Sequence, residues 1–215
     1  MIEYDAVIPA GGRGSRLGGV DKPSLVVRGV SLADRAVASV AGARRVVLVG
    51  HRVTSSSDSR VSLAEETPRW SGPVAALAAG LTAIESSSPF TIVLAADLPS
   101  ASPAVERLLG LAGDATAHGS HAEGVVAVAG GGIRQPLLAV YRSDRLRAAV
   151  AAVVESAARR DGRGASMRAV LERMPLLEAV MPEEWCRDLD TPDDAAHFGV
   201  TLPAHATPDG STDDG

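Results

Sequence analysis

The chain has 215 residues, 46% of them apolar and only 3% aromatic, which is typical of one compact domain with a core of Ala, Val and Leu. Its formal net charge of −5 argues against nucleic acid or an anionic membrane surface as the main partner. The single cysteine excludes an intramolecular disulfide, and no apolar run reaches the roughly 18 residues of a membrane span. We therefore expect a cytoplasmic protein that binds neither nucleic acid nor a membrane.

Strands and helices alternate through the first half of the chain. Apolar runs without polar interruption predict buried strands, and residues suited to helix starts follow each of them. The predicted strands cover residues 6–8, 45–50, 61–64 (the weakest) and 90–95, and helices are expected to begin at Ser31, Pro73 and Ser102. This order predicts an α/β fold of the Rossmann-like, three-layer type with a mostly parallel sheet.

The pattern changes in the second half of the chain. Two strands are predicted without a helix between them, so a local antiparallel pair should interrupt the parallel sheet. These strands cover 124–129 and 135–141, and they are followed by helices over 143–158 and 166–174, a strand over 176–181 and a short helix capped at Thr191. We expect residues 1–200 to form a single domain and residues 201–215, rich in Pro, Gly, Ser and Asp, to be a disordered tail.

A glycine-rich loop follows the first strand. Five glycines lie between Gly11 and Gly19, together with the cations Arg13, Arg16 and Lys22. Glycines allow successive backbone N–H groups to converge on an anion, and the cations add charge, so the loop is a candidate phosphate cradle. It matches neither the P-loop, which needs Gly-Lys-Ser/Thr, nor the dinucleotide fingerprint, whose third glycine would come one residue earlier.

Lys22 is distinguished by the composition of the chain. Lysine occurs once in the sequence, whereas arginine occurs 20 times. A chain with this bias is expected to keep lysine where a compact, strongly hydrated point charge is needed, as beside a phosphate in a tight loop. We therefore predict a catalytic role for Lys22.

Acidic residues follow other predicted strands. Asp97 comes directly after a wholly apolar strand, where a carboxylate is costly unless it faces a polar site or a cation. Mg²⁺ is commonly held by one or two carboxylates plus substrate phosphates, so Asp97 is a candidate metal ligand, the alternative being a turn or capping Asp. Ser102 looks like the cap of the following helix. Asp188 and Asp190 would share one side of an extended segment before the Thr191 helix.

The loop resembles the signature of the molybdenum-cofactor guanylyltransferase family, roughly (L)AGGxSxRMGxDKxxL. Residues 9–25 read PAGGRGSRLGGVDKPSL, with Pro for Leu at position 9, Gly for Ser at 14, Leu for Met at 17 and one extra residue before Asp-Lys. Residues 96–99 resemble the family's metal motif, 72–73 its Gly-Pro helix start, 135–141 its QPLxxxY and 188–193 its (N/D)x(N/D)TP(E/D). The wider nucleotidyltransferase superfamily shares the AGG…K core, so the loop alone indicates the superfamily better than the substrate.

The resemblance implies a GTP-dependent transfer of GMP to the terminal phosphate of the molybdopterin-type cofactor, with release of pyrophosphate. It implies Mg²⁺, or Mn²⁺ in its place, on Asp97, with Asp190 as a candidate second contact, the alternative for Asp190 being a solvated turn residue. Arg16 and Lys22 would be catalytic, and the nucleotide-binding residues would be Pro9, Ala10, Gly11, Gly12, Lys22, Glu66 and Asp97. Glu66 could accept hydrogen bonds from the N–H groups on the edge of guanine, or it could bind ribose hydroxyls. The alternative is an exposed surface residue. Val49 stands where family members can carry a polar residue that contacts the base.

The acceptor is expected at the other end of the cleft. It should lie toward the glycines at 130–132, Gln135 and the loop 162–164, and Arg159, Arg160 and Arg163 would suit an anionic pterin phosphate. Proteins that deliver or accept the cofactor are further expected partners. The alternatives are CTP with the same cofactor, another phosphorylated small molecule as acceptor, or a nucleotide-binding protein without turnover.

Overall fold

The computed structural model describes residues 2–11, 17–50, 58–160 and 165–202. Several sequence-based predictions fall on other parts of the chain. Those made for Gly12, Arg13, Arg16 and Arg163, and for the tail beyond Leu202, lie outside the described residues.

The strands in the described ranges are β1 Tyr4–Pro9, β2 Val26–Val27, β3 Val30–Ser31, β4 Val46–Val49, β5 Val61–Ala64, β6 Phe90–Leu94, β7 Gly124–Ala129, β8 Ile133–Arg142 and β9 Leu177–Val180. Seven of them form one sheet in the order β5-β4-β1-β6-β8-β7-β9. β8 is antiparallel to both of its neighbours, and the other pairings in this sheet are parallel. The predicted antiparallel interruption is therefore confirmed, with two antiparallel pairings instead of one. A separate hairpin, β2 with β3, was not predicted.

Helices cover both faces of the sheet, as the three-layer prediction requires. In the described ranges they are α1 Leu32–Ser39, α2 Pro73–Ala83, α3 Ser102–Ala117, α4 Ser143–Ala158, α5 Met167–Leu171, α6 Glu183–Cys186 and α7 Pro192–His197. Successive side chains of a strand point to opposite faces, so Ala6 and Ile8 pack with α1, α3 and α6 while Val7 packs with α2, α4 and α5. None of the described helices is long and apolar enough to cross a membrane.

The helix starts largely follow the capping patterns. Ser31 caps α1 by accepting a hydrogen bond from the Asp34 N–H, and Pro73 lies in the first turn of α2. The predicted start of α3 at Ser102 is confirmed, but the prediction that Ser102 caps the helix was wrong: the N-cap is Ala101, which makes no side-chain cap, and Ser102 is already helical.

A third apolar cluster lies apart from the two faces of the sheet. It joins the segment that follows the glycine-rich loop to the C-terminal helix α7, with Leu17, Leu32 and Leu189 fully buried. Burial of each such side chain contributes about 1.5–3 kcal/mol. The cluster therefore fixes the second half of the glycine-rich loop against residues 189–200, two stretches at opposite ends of the sequence.

Candidate active site

The candidate site lies at the carboxyl edge of the parallel strands, where ligands of open α/β sheets bind. The neighbouring strands β4, β1 and β6 remain linked beyond their last residues. The Ala10 N–H donates to the Val49 carbonyl at 2.8 Å, and the Ala96 N–H donates to the Pro9 carbonyl at 3.1 Å. Two predicted nucleotide-binding residues, Pro9 and Ala10, are thus held by backbone hydrogen bonds.

Lys22 meets two carboxylates at this edge. Its Nζ lies 3.5 Å from Asp97 Oδ2 and also contacts Asp190 Oδ1. All three side chains are partly buried, with 13%, 31% and 24% of their surface exposed, so each still reaches solvent. Residues separated by 75 and 168 positions in sequence are thereby brought to one point.

The surrounding structure orients these groups. Lys22 opens a single 3₁₀ turn that buries Pro23. On the other side, Leu189 is fully buried, and its N–H donates to the Asp97 carbonyl at 2.9 Å, which ties the β6 exit to the segment carrying Asp190. Thr191 then begins α7 with a capping box, so Asp190 lies between a buried leucine and a fixed helix start.

The electrostatics of the cluster centre on Asp97. Burial raises the pKa of its carboxyl above the ordinary value, and the Asp188 charge acts in the same direction, while the Lys22 ammonium opposes both. Asp97 and Asp190, which both contact the Lys22 ammonium, supply carboxylate oxygens. A hard divalent ion binds to one or two such carboxylates together with phosphate oxygens. Among the described residues, no three acidic, His or Cys side chains gather around one point, so phosphate or water oxygens would complete the coordination. Asp188, unlike Asp190, is exposed.

Glu66 lies beside the first residues of the glycine-rich loop. It is only 6% exposed, which overturns the alternative of a surface glutamate, and its Oε1 accepts a hydrogen bond from the Trp70 N–H at 2.9 Å. Gly50, at the exit of β4, has φ +84°, and a Cβ on it would come within 2.9 Å of Gly11 Cα and 3.4 Å of Glu66 Oε2. The three residues therefore pack so closely that only glycine fits at position 50.

A cleft of about 480 Å³ opens next to these residues. Val49 does not line it, because its side chain is fully buried in the core below the sheet edge. Sequence reasoning missed the contribution of Gly50, although its place directly after a buried strand is a usable signal, and it missed Arg69 and Trp70 altogether. The lining residues are Ala10, Gly19, Val20, Asp21, Gly50, Arg69 and Trp70.

The predicted acceptor end contains a second cavity of about 590 Å³. It is lined by Gly132, Arg134, Pro136, Arg168, Leu171 and Glu172. Both arginines are paired, Arg134 with Glu178 at 2.6 Å and Arg168 with Glu172 at 2.9 Å. Arg159 and Arg160 are exposed at the end of α4, and neither lines this cavity.

Comparison with known proteins finds similar sequences. The family described as the MobA-like NTP transferase domain matches residues 6–184. A molybdenum cofactor guanylyltransferase of Acidiphilium cryptum (strain JF-5) is 35% identical over 111 residues, which cover 50% of this chain and 57% of that protein. The matched stretch therefore covers little more than half of that relative.

Solved structures share the fold at low sequence identity. The molybdopterin-guanine dinucleotide biosynthesis protein A of Archaeoglobus fulgidus superposes with a TM-score of 0.62 at 20% identity, covering 90% of this chain and 96% of that one. The 2-C-methyl-D-erythritol 4-phosphate cytidylyltransferase of Thermus thermophilus gives 0.65 at 18% identity, covering 92% and 97%. The corresponding enzyme of Francisella tularensis gives 0.69 at 11% identity, covering 92% and 98%.

Proposed function

The chain belongs to the MobA-like NTP transferase family, and we propose that it transfers GMP from GTP to the terminal phosphate of a molybdopterin-type cofactor, releasing pyrophosphate. The general class, a nucleotidyltransferase acting on a nucleoside triphosphate, follows from the family itself. The choice of GTP and of the acceptor is supported by the guanylyltransferase relative and by the signature in residues 9–25. Residues 1–200 as one nucleotidyltransferase domain, and a cytoplasmic location, remain part of the proposal.

One observation carries the proposal most directly. The single lysine of the chain contacts both Asp97 and Asp190 at the carboxyl edge of the sheet, beside the glycine-rich loop. A cation and two carboxylates at this place suit a triphosphate with its divalent ion, because phosphate oxygens need positive charge and the ion needs oxygen ligands. When bound, Mg²⁺ on Asp97 and Asp190 would supply Lewis-acid neutralisation of the phosphate charge.

The residues of the chain would position the reactants. The backbone N–H groups of Gly11, Gly12 and their neighbours would hold the triphosphate, and the acceptor phosphate oxygen would attack the α-phosphorus in line. The bond from the α-phosphorus to its bridging oxygen then breaks, and the electron pair leaves with pyrophosphate. Arg16 and Lys22 would neutralise the charge that develops on this leaving group.

The nucleoside end of the site would be organised by Glu66. Its carboxylate is buried between Gly11 and Gly50 and is oriented by the Trp70 N–H. A carboxylate held in this way can accept hydrogen bonds from two N–H groups of guanine or from the hydroxyls of ribose. CTP stays the alternative substrate, because the fold is shared with cytidylyltransferases and the polar base-contacting residue of the family is replaced by the buried Val49.

The acceptor end would lie toward the glycine turn at 130–132 and the adjoining cavity. Gly131 and Gly132 have φ of +73° and +79°, and the cavity beside them is lined by Arg134 and Arg168. Guanidinium groups bind phosphate in a bidentate manner, which suits the anionic end of a pterin cofactor. Proteins that deliver or accept this cofactor would approach the same end.

Pyrophosphate release tests the proposal. The purified chain is supplied with Mg²⁺, a molybdopterin acceptor and each of GTP, CTP, ATP and UTP, with Asp97→Asn as the matched variant. We expect release with GTP above the other nucleotides, and loss of the metal-dependent activity in the variant, whose amide keeps the shape but not the charge. Preference for CTP would establish the alternative substrate. Binding of GTP without release would favour the non-catalytic alternative.

A further inference from the structure

The loop between β6 and α3 carries Asp97 and is held by hydrogen bonds along its length. The Ala96 N–H donates to the end of β1 at 3.1 Å, and the Asp97 carbonyl accepts from the Leu189 N–H at 2.9 Å. Two residues after Asp97, the carbonyl of the buried Pro99 accepts from the side chain of Arg35. The first two contacts join backbone to backbone, whereas the contact at Pro99 depends on one side chain. A substitution of Arg35 can therefore remove this attachment and leave the sequence of the loop unchanged.

Arg35 binds the Pro99 carbonyl through two donors. The residue lies in α1 and is half-buried, and its guanidinium donates to the Pro99 oxygen from Nε at 3.2 Å and from Nη2 at 2.9 Å. A guanidinium presents its donors in a rigid planar fork, so a carbonyl that accepts from two of them is fixed in direction as well as in distance. Because Pro99 is only two residues from Asp97, a displacement of this carbonyl would also move the Asp97 carboxylate.

Helix α1 is itself connected to the turn that carries Lys22. The Leu25 N–H donates to the Lys22 carbonyl at 2.9 Å, and the N–H of Leu32, the first residue of α1, donates to the Leu25 carbonyl at 2.9 Å. Leu25 and Leu32 are also buried together in the third apolar cluster. Arg35 is therefore placed where it connects the Lys22 turn to the Asp97 loop, and the ammonium and carboxylate of these two segments lie 3.5 Å apart.

We propose that Arg35 is a positioning residue for the metal-binding carboxylate. Through the Pro99 carbonyl it fixes the loop in which Asp97 faces Lys22, and it thereby sets the affinity for the divalent ion that accompanies the nucleoside triphosphate. This inference rests on the proposed function, in that Asp97 is taken as a ligand of that ion. Arg35 acts through the backbone and needs no contact with the ion or the nucleotide. Replacement of groups that orient a metal ligand typically lowers metal affinity by about 10- to 100-fold.

Nucleotide binding with and without metal tests the proposal without any turnover. The ligand is a GTP analogue with a methylene group between its α- and β-phosphates, which cannot release pyrophosphate, and calorimetry gives its Kd in Mn²⁺ and in EDTA. Arg35→Ala should raise the Kd in Mn²⁺ by about 10-fold or more and leave the Kd in EDTA unchanged, because only the metal depends on the position of Asp97. Arg35→Lys should lose less, since its ammonium can donate one hydrogen bond to the Pro99 carbonyl. This milder variant also serves if Arg35→Ala does not fold.

The matched control is Arg147→Ala. Arg147 is also half-buried, and its Nη2 donates to the Ile84 carbonyl at 2.9 Å, ahead of β6 instead of after it. This variant should leave both Kd values unchanged. Equal Kd values in Mn²⁺ for the parent and for the Arg35 variants, or equal losses in Mn²⁺ and in EDTA, would overturn the positioning role alone. A parent Kd that does not depend on Mn²⁺ would overturn the metal site on Asp97 and this role with it, and absence of binding to the parent would overturn the proposed function.

Discussion

At the scale of single residues, Lys22 is the side chain that joins the two acidic residues of the candidate site. Its ammonium contacts Asp97 and Asp190, so it balances two carboxylates whose mutual repulsion would otherwise disfavour their approach. An arginine at this place would present a broad planar fork instead of a point charge. The retention of lysine in a chain that otherwise uses arginine is consistent with that geometric demand.

Replacement of this lysine should therefore affect turnover far more than folding. We expect Lys22→Ala to lower kcat by about 10²–10³-fold, the effect of removing one preorganised charge at a transition state. The measurement is steady-state pyrophosphate release with GTP. Arg107→Ala is the matched control, since it removes one positive charge from an exposed position of α3 and should leave kcat unchanged. Equal kcat values for the two variants would place Lys22 outside the catalytic machinery.

At the scale of elements, the start of α7 positions Asp190. The Asp194 carboxylate accepts hydrogen bonds from the Thr191 N–H at 3.0 Å and the Thr191 hydroxyl at 2.6 Å, and it pairs with Arg187 at 2.9 Å. These interactions, the Thr191 hydroxyl first, lower the pKa of Asp194 to about 2. Because its folded pKa is depressed, Asp194 stabilises the fold above the ordinary carboxyl range, and this contribution is lost as the pH falls toward 2.

Asp194→Asn should remove that pH-dependent contribution. We expect the variant to lose about 1–2 kcal/mol of the free energy of unfolding at pH 7, and to approach the parent chain as the pH falls from about 4 toward 2. Urea unfolding at a series of pH values measures the difference. Asp193→Asn, exposed in the same helical turn, is the control and should change stability little. A difference between Asp194→Asn and the parent that does not depend on pH would contradict this explanation.

Gly50, directly after β4, allows a second test at the scale of elements. Gly50→Ala places a Cβ 2.9 Å from Gly11 Cα at a backbone φ of +84°, so the substitution should displace the start of the glycine-rich loop. We expect a cost of about 1–3 kcal/mol in stability and weaker GTP binding in the folded protein. Gly110→Ala is the matched control. It lies in α3 with no atom within 4 Å of the added Cβ, and it should stabilise by about 0.5–1 kcal/mol. Unchanged GTP affinity in Gly50→Ala would show that Gly50 is not needed for nucleotide binding.

At the scale of the whole molecule, the two ends of the cleft rest on different parts of the sheet. The nucleotide end lies on exits of β1, β4 and β6, which are parallel and buried, whereas the cavity at the other end borders the start of β8 and helix α5. Buried parallel strands are packed on both faces and should hold the nucleotide loops rigidly. We expect the end beside the glycine turn at 130–132 to adjust when the acceptor binds.

Removing the arginines of the acceptor end should separate the two substrates kinetically. The double variant Arg134→Ala/Arg168→Ala should raise the KM for the molybdopterin acceptor about 10-fold or more, since two guanidinium contacts to a phosphate are lost, while the Kd for GTP stays constant. Arg145→Ala, at the start of α4, is the control. A loss confined to GTP binding would mean that the two ends of the cleft have been assigned in the wrong order.

Local patterns predicted much of this fold. The buried strands were visible as apolar runs, α4 was predicted with its observed bounds, and the Thr191 cap was read from its sequence. The end of α3 was predicted too early: the helix was expected through Leu109, whereas it continues past Gly113 to Ala117. Glycine only weakens a helix, and packing against β7 and β8 offsets that cost.

The site was predicted less completely, because part of it depends on contacts between segments that are distant in sequence. The proximity of Lys22, Asp97 and Asp190 follows from where strands end and from the resemblance of short motifs. The burial of Glu66 and the exposure of Trp70 depend on how the loop at 65–72 folds over Gly11 and Gly50, which no periodic pattern encodes. The cluster around Leu189 likewise joins distant segments, so it is apparent only in three dimensions.

The proposed reaction is tested by following a labelled nucleotide from GTP to the acceptor. GTP carrying the label at its α-phosphate is incubated with the chain, Mg²⁺ and a molybdopterin acceptor, and the products are separated and weighed by mass spectrometry. The label should appear in a guanine dinucleotide form of the acceptor, with unlabelled pyrophosphate released in equal amount, and Lys22→Ala and Asp97→Asn should each form this product at least about 10²-fold more slowly. Label that remains in GTP, or that appears as free GMP whether or not the acceptor is present, would contradict the proposed reaction.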